Sequence, residues 1–270
     1  MAAQGITLLL VDALNLIRRV YAAQPGDDGP ERVDAAGISS AQSLARALRA
    51  TTPTHALCVF DGAGPTWRHR LHPEYKKGHA PMPEALAASL DGFRTVFAGE
   101  GVSSLDRPAL EADDVIATLA AKTAAAGAAA IVLSTDRAYL ELLPLGVRVR
   151  DHFRAEELGA AYVAKRYGVA PERLTDLLAL TGDRANGIPG VPGVGPKKGA
   201  DLLARFGDLE GILTSAGEVA GKLGENLRRH ADDARLSRRL VELHTDLELG
   251  VNLRELRVER RAGGASVAHR

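Results

Sequence analysis

The sequence predicts an α/β fold in which a parallel β-sheet carries flanking helices and is followed by a second, all-helical domain. Short apolar runs of the kind found in strands buried on both faces recur at Ile6–Val11, His55–Phe60 and Ala130–Leu133. Helical patterns separate these runs, and such alternation is typical of a parallel sheet. Beyond about residue 155 the helical patterns follow one another directly, which indicates a change of architecture.

The spacing of apolar residues predicts the remaining elements in order. In the first domain (1–155) we expect helices at Leu14–Ala22, Ser39–Ala50, Pro83–Phe97 and Asp113–Ala125. Further short strands are expected at Val102–Leu105 and Val147–Arg150. The second domain (156–258) is expected to contain helices at Ala155–Tyr167, Pro171–Leu180, Pro196–Phe206, Leu209–Thr214, Gly217–His230 and Asp233–Leu243. The basic, glycine-containing residues 259–270 predict a flexible tail.

Composition restricts the class of protein but does not identify a ligand. The chain has 270 residues, of which 46% are hydrophobic, and a formal net charge of zero, so a nucleic-acid ligand must be argued from local patches. Cys58 is the single cysteine and lies in an apolar run, which predicts a buried thiol and a reducing compartment. No apolar stretch reaches the length of a membrane span. We therefore expect a soluble, cytoplasmic protein.

Acidic residues gather where the predicted strands end. Three of them open a predicted helix within the sequence LEADDVIATLA, and three more follow predicted strands; together they are Asp12, Asp61, Glu111, Asp113, Asp114 and Asp136. The carboxyl ends of parallel strands form the ligand crevice of such sheets. Converging carboxylates repel one another, and a hard cation is the usual relief. Each of these residues also fits a helix cap, a turn or a solvated first turn, and these interpretations stay open.

Two basic segments suit a nucleic-acid ligand. Residues 187–198 read GIPGVPGVGPKK, a glycine-rich hairpin that opens a helix at Pro196 and adds Lys197 and Lys198. Free backbone N–H groups, a helix N-terminus and lysines together favour a phosphate site, although a plain helix–turn–helix connection is the alternative. The connection 67–83 interleaves basic and aromatic residues: Trp67, Arg68, Arg70, Tyr75, Lys76 and Lys77. We expect its cations to follow phosphates and its rings to stack on bases, with a solvated basic loop as the alternative.

On these motifs the chain resembles the 5′-nuclease, or flap-endonuclease, family. The matching segments are LLLVDALNLIRR, VFDGAGPTWRHRLHPEYKKG, LEADDVIATLA, STDRAYLELL and LTGDRANGIPGVPGVGPKKGADLLARFG. They occur in the family order, and the first two are most similar to the stand-alone exonuclease IX type. The resemblance implies a PIN-like α/β domain, a helical arch over the active site at about 65–83, and a helix–three-turn–helix (helix-hairpin-helix) DNA-binding domain.

The resemblance also implies roles for individual residues. The six acidic residues named above match family metal-site positions, as does Asp183. Lys76 matches the arch lysine and Arg68 the arginine that follows the strand ending in Phe-Asp, so both are expected to stabilise charge on the scissile phosphate. The loop that matches the family's duplex-binding hairpin comprises Gly193, Val194, Gly195, Pro196, Lys197 and Lys198, and Arg70 and Lys77 are expected to contact DNA too. In the family this loop holds K⁺ through backbone carbonyls, which correspond here to Leu180, Thr181, Pro189, Val191 and Val194.

Three departures from the family pattern concern the site. Ala138 stands where the family commonly has a second aspartate after the one matched by Asp136, and Asn186 replaces the last aspartate of the TGD motif. His79 replaces an arginine of the arch. We therefore expect one well-held Mg²⁺ or Mn²⁺ bound by Asp61, Glu111, Asp113 and Asp114, with Asp12 acting through water. A second ion at Asp136 and Asp183 is expected to be held weakly.

The resulting hypothesis is a bacterial, divalent-metal-dependent hydrolase that cuts DNA at 5′ flaps or 5′ ends, with a role in replication and repair at the nucleoid. A monomer with branched or flapped DNA as its partner is expected. Two alternatives stay open: a protein that binds flaps but cuts them poorly because the second metal site is depleted, and a PIN-type ribonuclease. Loss of cleavage with retained binding in Asp113→Asn would indicate an enzyme, and equal cleavage of RNA would favour the ribonuclease.

Overall fold

The computed structural model describes residues 5–259 and contains one six-stranded sheet. Its strands lie in the order β3-β2-β1-β4-β5-β6. Neighbours are parallel, except that the edge strand β6 is antiparallel to β5. The strands are β1 (Thr7–Asp12), β2 (His55–Val59), β3 (Ser103–Leu105), β4 (Ala129–Leu133), β5 (Arg148–Asp151) and β6 (Glu156–Glu157). This sheet confirms the predicted α/β class, and the five predicted strands are each within one residue of their predicted bounds.

Helices occupy most of the remaining chain. The first domain contains α1 (Ala13–Ala23), α2 (Pro30–Thr51), α3 (Trp67–Leu71), α4 (Glu84–Ala88), α5 (Leu90–Gly99) and α6 (Ala112–Ala125). The second contains α7 (Ala160–Tyr167), α8 (Leu174–Thr181), α9 (Pro196–Phe206), α10 (Leu209–Thr214), α11 (Gly221–Arg229) and α12 (Ala231–Val241). Short 3₁₀ segments lie at Ala138–Leu145, Pro171–Arg173, Ala216–Glu218 and Leu253–Leu256. The residues described contain no helix of the length and apolarity that a bilayer crossing requires.

Both faces of the sheet are buried, which explains the continuous apolar runs. Along β1, Leu9 and Val11 belong to the core cluster formed with α1, α2 and α5. Leu8 and Leu10 alternate with them and belong to the cluster that contains α6 and residues of the helical domain. Alternate side chains of a strand point to opposite faces, so each face of the sheet gains its own hydrophobic core.

The structure differs from the prediction at several element bounds. Helix α2 begins at Pro30, nine residues before the predicted start at Ser39; Pro30 suits a first helical turn, and the helix is supported by packing on α1 and α5. The predicted helix Pro83–Phe97 is divided at Ser89 into α4 and α5. Residues 156–157 pair with β5 as an edge strand, so the predicted helix from Ala155 begins only at Ala160. Apart from Glu259, the predicted tail 259–270 lies outside the described residues.

Candidate active site

A cleft lies at the carboxyl ends of the central strands, where the sequence predicts the ligand crevice. Its volume is about 560 Å³. Its walls combine acidic side chains from four separate segments with the Lys76 ammonium; the acidic residues are Asp61, Asp113, Asp136 and Asp183. Because β1, β2 and β4 are adjacent and parallel, residues that follow them meet at this edge.

Asp12 ends β1 and lies close to these acidic residues. It is 7% exposed, accepts a hydrogen bond from the Asn15 backbone N–H at 3.0 Å as the N-cap of α1, and accepts another from the Ser134 hydroxyl at 3.0 Å. Burial raises the pKa of Asp12 to about 7, and the negative charges of Asp136 and Asp61 add to this rise. Asp12 is therefore both a helix cap and part of an acidic cluster.

The other strand-end aspartates also have local structural roles. Asp61 Oδ1 accepts a hydrogen bond from the Ala112 N–H at 2.8 Å, which joins the end of β2 to the start of α6. Asp136 Oδ1 accepts one from the Ala138 N–H at 2.9 Å in the turn after β4. Both side chains remain exposed at the cleft. Asp61 and Asp136 therefore each make a local structural hydrogen bond and also belong to the acidic cluster.

Asp113 provides the α6 carboxylate of the cleft. It is partly buried in the first turn of α6, and its Oδ1 accepts a hydrogen bond from the Tyr139 hydroxyl at 2.7 Å. Burial raises the pKa of Asp113 well above its ordinary value, and the charges of Asp136 and Asp12 raise it further. Negative charge is thus in excess around Asp113, and a cation there would relieve the repulsion.

Glu111, a predicted metal ligand, is buried and bound by side chains of the arch. Its carboxylate is 4% exposed and accepts hydrogen bonds from four side chains at 3.1–3.3 Å: Thr66, Arg68, Tyr75 and Lys76. All four donors come from the segment 66–76, which begins the predicted arch. Glu111 therefore anchors the base of the arch to α6.

Asp114 and Arg68 likewise differ from their predicted roles at the metal and the phosphate. Arg68 is only 2% exposed and binds Asp114 with both terminal nitrogens, at 2.8 and 2.9 Å. Arg68 also donates to the backbone carbonyl oxygens of Leu240 and Glu242, at 2.9 and 3.0 Å. Burial alone would lower the pKa of Arg68, but the hydrogen bonds to Asp114 raise it overall, so the guanidinium stays charged. Asp114 is fully buried. This pair joins the arch base, α6 and the end of α12.

The two predicted stacking rings also face inward, which corrects the expectation that they stack on bases. Trp67 lies parallel to the His244 ring at 4.3 Å between centroids and donates its indole N–H to Asp114 at 2.8 Å. Tyr75 is 5% exposed and donates its hydroxyl to Glu111. Sequence alone missed this because the ring partners lie far away in the chain. The exposed cations of the segment are Arg70 and Lys77, and Lys77 pairs with Glu74 at 2.8 Å.

Lys76 is the cation that reaches both the arch base and the cleft. Its ammonium lies 3.1 Å from Glu111 Oε2, and its side chain is 28% exposed. Burial lowers the pKa of Lys76, but Tyr75, Glu111 and Asp113 raise it more, so the group stays charged at neutral pH. Its backbone is left-handed (φ 55°), and its N–H donates to the Asn186 carbonyl at 2.9 Å. The helical domain thus holds Lys76 in place through the loop at Asn186.

The predicted second metal site is reduced. Asp183 lines the cleft, but its Oδ2 accepts a hydrogen bond from the Asn186 amide nitrogen at 2.7 Å. Ala138 lines the same cleft without a carboxylate. Two of the departures seen in the sequence, Ala138 and Asn186, therefore line the same cleft.

The glycine-rich hairpin closes against the end of α8. Gly182 and Gly190 approach so closely that an added Cβ on Gly190 would lie 2.5 Å from the Gly182 nitrogen. Leu180 O accepts from Val191 N at 2.7 Å, and Val191 O accepts from Val194 N at 3.1 Å. These contacts bring together the segments whose carbonyls are the predicted K⁺ ligands.

The helix α9 begins at Pro196, as the sequence predicts. Residues Gly193, Gly195, Pro196, Lys197 and Lys198 are exposed, whereas Val194 packs into the core. The Lys198 ammonium donates to the Gly193 carbonyl at 3.1 Å, which leaves Lys197 as the freer of the two cations for a phosphate.

Other residues of the site were missed by sequence reasoning. Arg18, Arg137 and Tyr167 line the cleft, and Tyr139 lies beneath it with its hydroxyl on Asp113. The motif STDRAYLELL contains Arg137 and Tyr139, but neither periodicity nor charge distinguishes Tyr139 from an ordinary core aromatic. Its role depends on a contact with Asp113, twenty-six positions earlier in the chain.

The donor set suits a hard divalent cation that keeps several waters. Within residues 5–259, no three His, Cys, Asp or Glu side chains form a ready-made metal-binding group. Asp61, Asp113 and Asp136 nevertheless face one cleft, and burial together with neighbouring carboxylates raises the pKa values of Asp12 and Asp113. Mg²⁺ is commonly held by one or two carboxylates together with water and phosphate oxygens, so this arrangement fits it.

The fold and the acidic cleft define a two-domain nuclease of the 5′-3′ exonuclease class. Residues 7–168 match the family model of the 5′-3′ exonuclease N-terminal resolvase-like domain, and residues 169–263 match that of the 5′-3′ exonuclease C-terminal SAM fold. The chain therefore belongs to the 5′-3′ exonuclease family, as the motifs predict.

Among its relatives, the chain is 42% identical over 258 residues to flap endonuclease Xni of Klebsiella pneumoniae, covering 95% of this chain and 100% of the relative. It is 43% identical over 253 residues to flap endonuclease Xni of Aeromonas hydrophila, covering 93% and 95%. These identities extend over both domains.

Solved structures share the fold. A bacteriophage T5 protein co-crystallised with metal ions has a TM-score of 0.74 at 20% identity, covering 87% of this chain and 89% of that one. The catalytic core of Rad2 in complex with a DNA substrate has a TM-score of 0.53 at 15% identity, covering 84% and 73%. At these identities the likeness shows the fold alone.

Proposed function

We propose that the protein is a structure-specific nuclease that hydrolyses DNA phosphodiester bonds at 5′ flaps with a divalent metal ion. The observation that carries this is the cleft in which Asp61, Asp113 and Asp136 face the Lys76 ammonium. The family membership and the flap endonuclease names of relatives at 42–43% identity support the substrate.

Asp61, Asp113 and Asp136 would hold Mg²⁺ or Mn²⁺, with Asp12 behind them. This set differs from the one expected from sequence because Glu111 and Asp114 are neutralised by Lys76 and Arg68. When bound, such an ion lowers the pKa of water and neutralises charge on a phosphate. Burial raises the pKa of Asp113, and the charges of Asp136 and Asp12 raise it further; a cation would remove that repulsion.

The chain's own residues then position the DNA. Lys76 supplies positive charge beside the carboxylates, where a scissile phosphate would gain negative charge. Arg68 acts by holding the arch base against α6 rather than by touching the phosphate. Exposed cations and backbone at Arg70, Lys77 and 193–198 would contact phosphates, so recognition follows duplex shape rather than base sequence.

A potassium ion at the hairpin is part of the proposal. The carbonyls of Leu180, Thr181, Pro189, Val191 and Val194 would bind it, since glycines 182 and 190 let the two backbone segments approach. A bound K⁺ would place positive charge beside a phosphate of the duplex. Flap binding that is equal in K⁺ and in tetramethylammonium at matched ionic strength would contradict this part.

Cleavage of a labelled 5′-flap duplex tests the main proposal. Wild-type protein is compared with Asp113→Asn, with and without Mg²⁺, in parallel with flap binding in Ca²⁺. Asp91→Asn is the matched control because the Asp91 carboxylate is fully exposed on α5, away from the cleft. We expect Asp113→Asn to lose cleavage by more than about 100-fold and to keep binding. Cleavage without Mg²⁺, or unchanged cleavage in Asp113→Asn, would overturn the proposal.

A second candidate is a flap-binding protein with weak cleavage. Two observations favour it: the Asn186 amide engages Asp183, and Ala138 contributes no carboxylate. The same experiment separates the candidates. A binding protein would bind the flap tightly, and the wild type would show negligible cleavage both with and without Mg²⁺.

A further inference from the structure

We propose that Tyr139 is a positioning residue that sets the orientation of the Asp12 and Asp113 carboxylates for the metal ion. This inference rests on the proposed function, since it assigns the metal to the cleft described above. Nothing in the charge pattern of the sequence marks Tyr139, and its role follows from three-dimensional contacts alone.

One hydroxyl reaches both carboxylates. Tyr139 Oη donates to Asp113 Oδ1 at 2.7 Å and lies 3.3 Å from Asp12 Oδ2, to which the Ser134 hydroxyl also donates. A phenol has a single proton, so it serves one carboxylate fully and the other only in part. The shorter distance identifies Asp113 as its main partner.

The tyrosine ring is held rigidly. Tyr139 is fully buried and packs in the core cluster that includes Ala112, Val115 and Leu140. It is the second residue of the 3₁₀ segment Ala138–Leu145, which begins just after the cleft residue Asp136. Close packing prevents the ring from swinging, so the hydroxyl direction is set by the core rather than by solvent.

The type of donor decides which carboxylates lack a compensating positive charge. Asp114 is bound by the Arg68 guanidinium, and Glu111 by Arg68 and the Lys76 ammonium, so fixed positive charge compensates both. Tyr139 is neutral, and it orients Asp113 without cancelling its charge. Groups that hydrogen-bond to metal ligands fix ligand geometry and affect metal affinity by about 10–100-fold.

The alternative is that Tyr139 only fills the core and satisfies its own hydroxyl. Tyr139→Phe separates the two roles, because it keeps the ring and removes only the hydroxyl. Mn²⁺ binding to the DNA-free protein is followed by electron paramagnetic resonance, and flap cleavage is titrated with Mg²⁺. We expect metal binding weakened by about 10-fold or more. We also expect cleavage that recovers towards the wild-type rate at high metal concentration.

Tyr21→Phe is the matched control. Tyr21 is also buried, at 3% exposure, and its hydroxyl donates to a carboxylate, Asp28, that lies outside the cleft. It should lose a comparable hydrogen bond and leave Mn²⁺ affinity unchanged. Equal weakening in Tyr21→Phe would indicate a general loss of stability and would overturn the inference.

The outcomes distinguish this inference from the proposed function. If the wild type binds no Mn²⁺, the proposed metal site itself fails. If the wild type binds and Tyr139→Phe binds equally well, the positioning role is wrong while the function stands. Tyr139→Met, which also lacks the hydroxyl but fills the core with a flexible apolar chain, provides a second variant. It must show the same loss of metal affinity.

Discussion

Individual carboxylates near the active site fall into two groups according to their partners. Glu111 and Asp114 are compensated by neighbouring cations, whereas Asp12 and Asp113 are bound mainly by neutral donors and have raised pKa values. Only the second group lacks a neighbouring fixed cation, so a metal ion there would favour the charged form of both carboxylates. The neighbours of a carboxylate, rather than its presence in a motif, determine its chemistry.

The first prediction concerns Arg68. Arg68→Met leaves Asp114 as an unpaired buried charge, and breaking such a pair costs about 3–5 kcal/mol. We expect the free energy of unfolding in urea to fall by about that amount. Arg70→Met is the control on the same helix, because Arg70 is exposed. An unchanged stability in Arg68→Met, combined with a selective loss of cleavage rate, would restore Arg68 to the role expected from sequence.

The second prediction concerns the two missing carboxylates. Ala138→Asp combined with Asn186→Asp adds acidic ligands at the cleft wall and removes the amide that now binds Asp183. We expect the Mg²⁺ concentration for half-maximal cleavage to fall several-fold, because a second ion gains ligands. A Mg²⁺ titration of flap cleavage measures this. A wild-type activity that already saturates at low Mg²⁺ and is unaffected by the double substitution would contradict a weak second ion.

Sequence identified part of this site for a clear physical reason. Asp12, Asp61 and Asp136 follow strands whose parallel order brings their ends together, so their convergence was predictable. The Arg68–Asp114 pair was not, because its partners are forty-six positions apart and their pairing depends on how the arch base packs on α6. Trp67 was expected to stack on bases for the same reason.

At the level of secondary-structure elements, the loop 186–187 supports the arch. The Asn186 carbonyl accepts from the Lys76 N–H, and the Gly187 carbonyl lies 3.0 Å from His72 Nε2. Gly187 has a φ of 70°, and a Cβ there would lie 2.4 Å from the Glu74 carbonyl oxygen. The helical domain therefore helps to place the lysine that faces the cleft.

The third prediction follows from this close approach. Gly187→Ala should push the segment 72–77 away from the loop and lower flap cleavage by about 10-fold or more, since small displacements of catalytic groups cost this much. Gly146→Ala is the control: Gly146 also has a positive φ, of 80°, but open space at its Cβ position. Both variants thus place an alanine in a left-handed backbone conformation, but only Gly187→Ala disturbs a contact with the arch. Equal cleavage by the two variants at matched thermal stability would contradict the supporting role.

Element bounds were predictable where a local residue determines them. The start of α9 at Pro196 and the strand ends followed from local residue types. The early start of α2 and the strand β6 were missed because their stability comes from tertiary contacts: α2 packs on α1 and α5, and β6 exists only through pairing with β5.

For the whole molecule, the contact between the two domains contains a partly buried titratable group. Glu141, in the 3₁₀ segment after β4, accepts hydrogen bonds from the Leu243 backbone N–H at 2.6 Å and from the Thr175 hydroxyl at 3.1 Å. Its partners come from α8 and from the chain after α12, so Glu141 connects the sheet domain to the helical one. Burial raises the pKa of Glu141 to about 7, despite these hydrogen bonds.

The fourth prediction is a pH dependence of stability from this group. Between pH 4.5 and 7 the folded state holds a proton that the unfolded state has released, so stability is highest at the acidic end and falls as pH rises towards 7. Each unit of pKa difference corresponds to about 1.4 kcal/mol. Glu141→Gln keeps acceptor and donor atoms in place and removes the titration. The wild type should therefore lose unfolding free energy relative to Glu141→Gln as pH rises from 5 to 7.5.

Urea unfolding of the metal-free protein at several pH values measures this difference. Comparing the two proteins cancels the contributions of Asp12 and Asp113, whose raised pKa values act in the same direction. Glu248→Gln is the control, because the Glu248 side chain is 96% exposed. A constant difference between wild type and Glu141→Gln across this range would show that Glu141 titrates alike in the folded and unfolded states. The domain contact would then be insensitive to pH at this position.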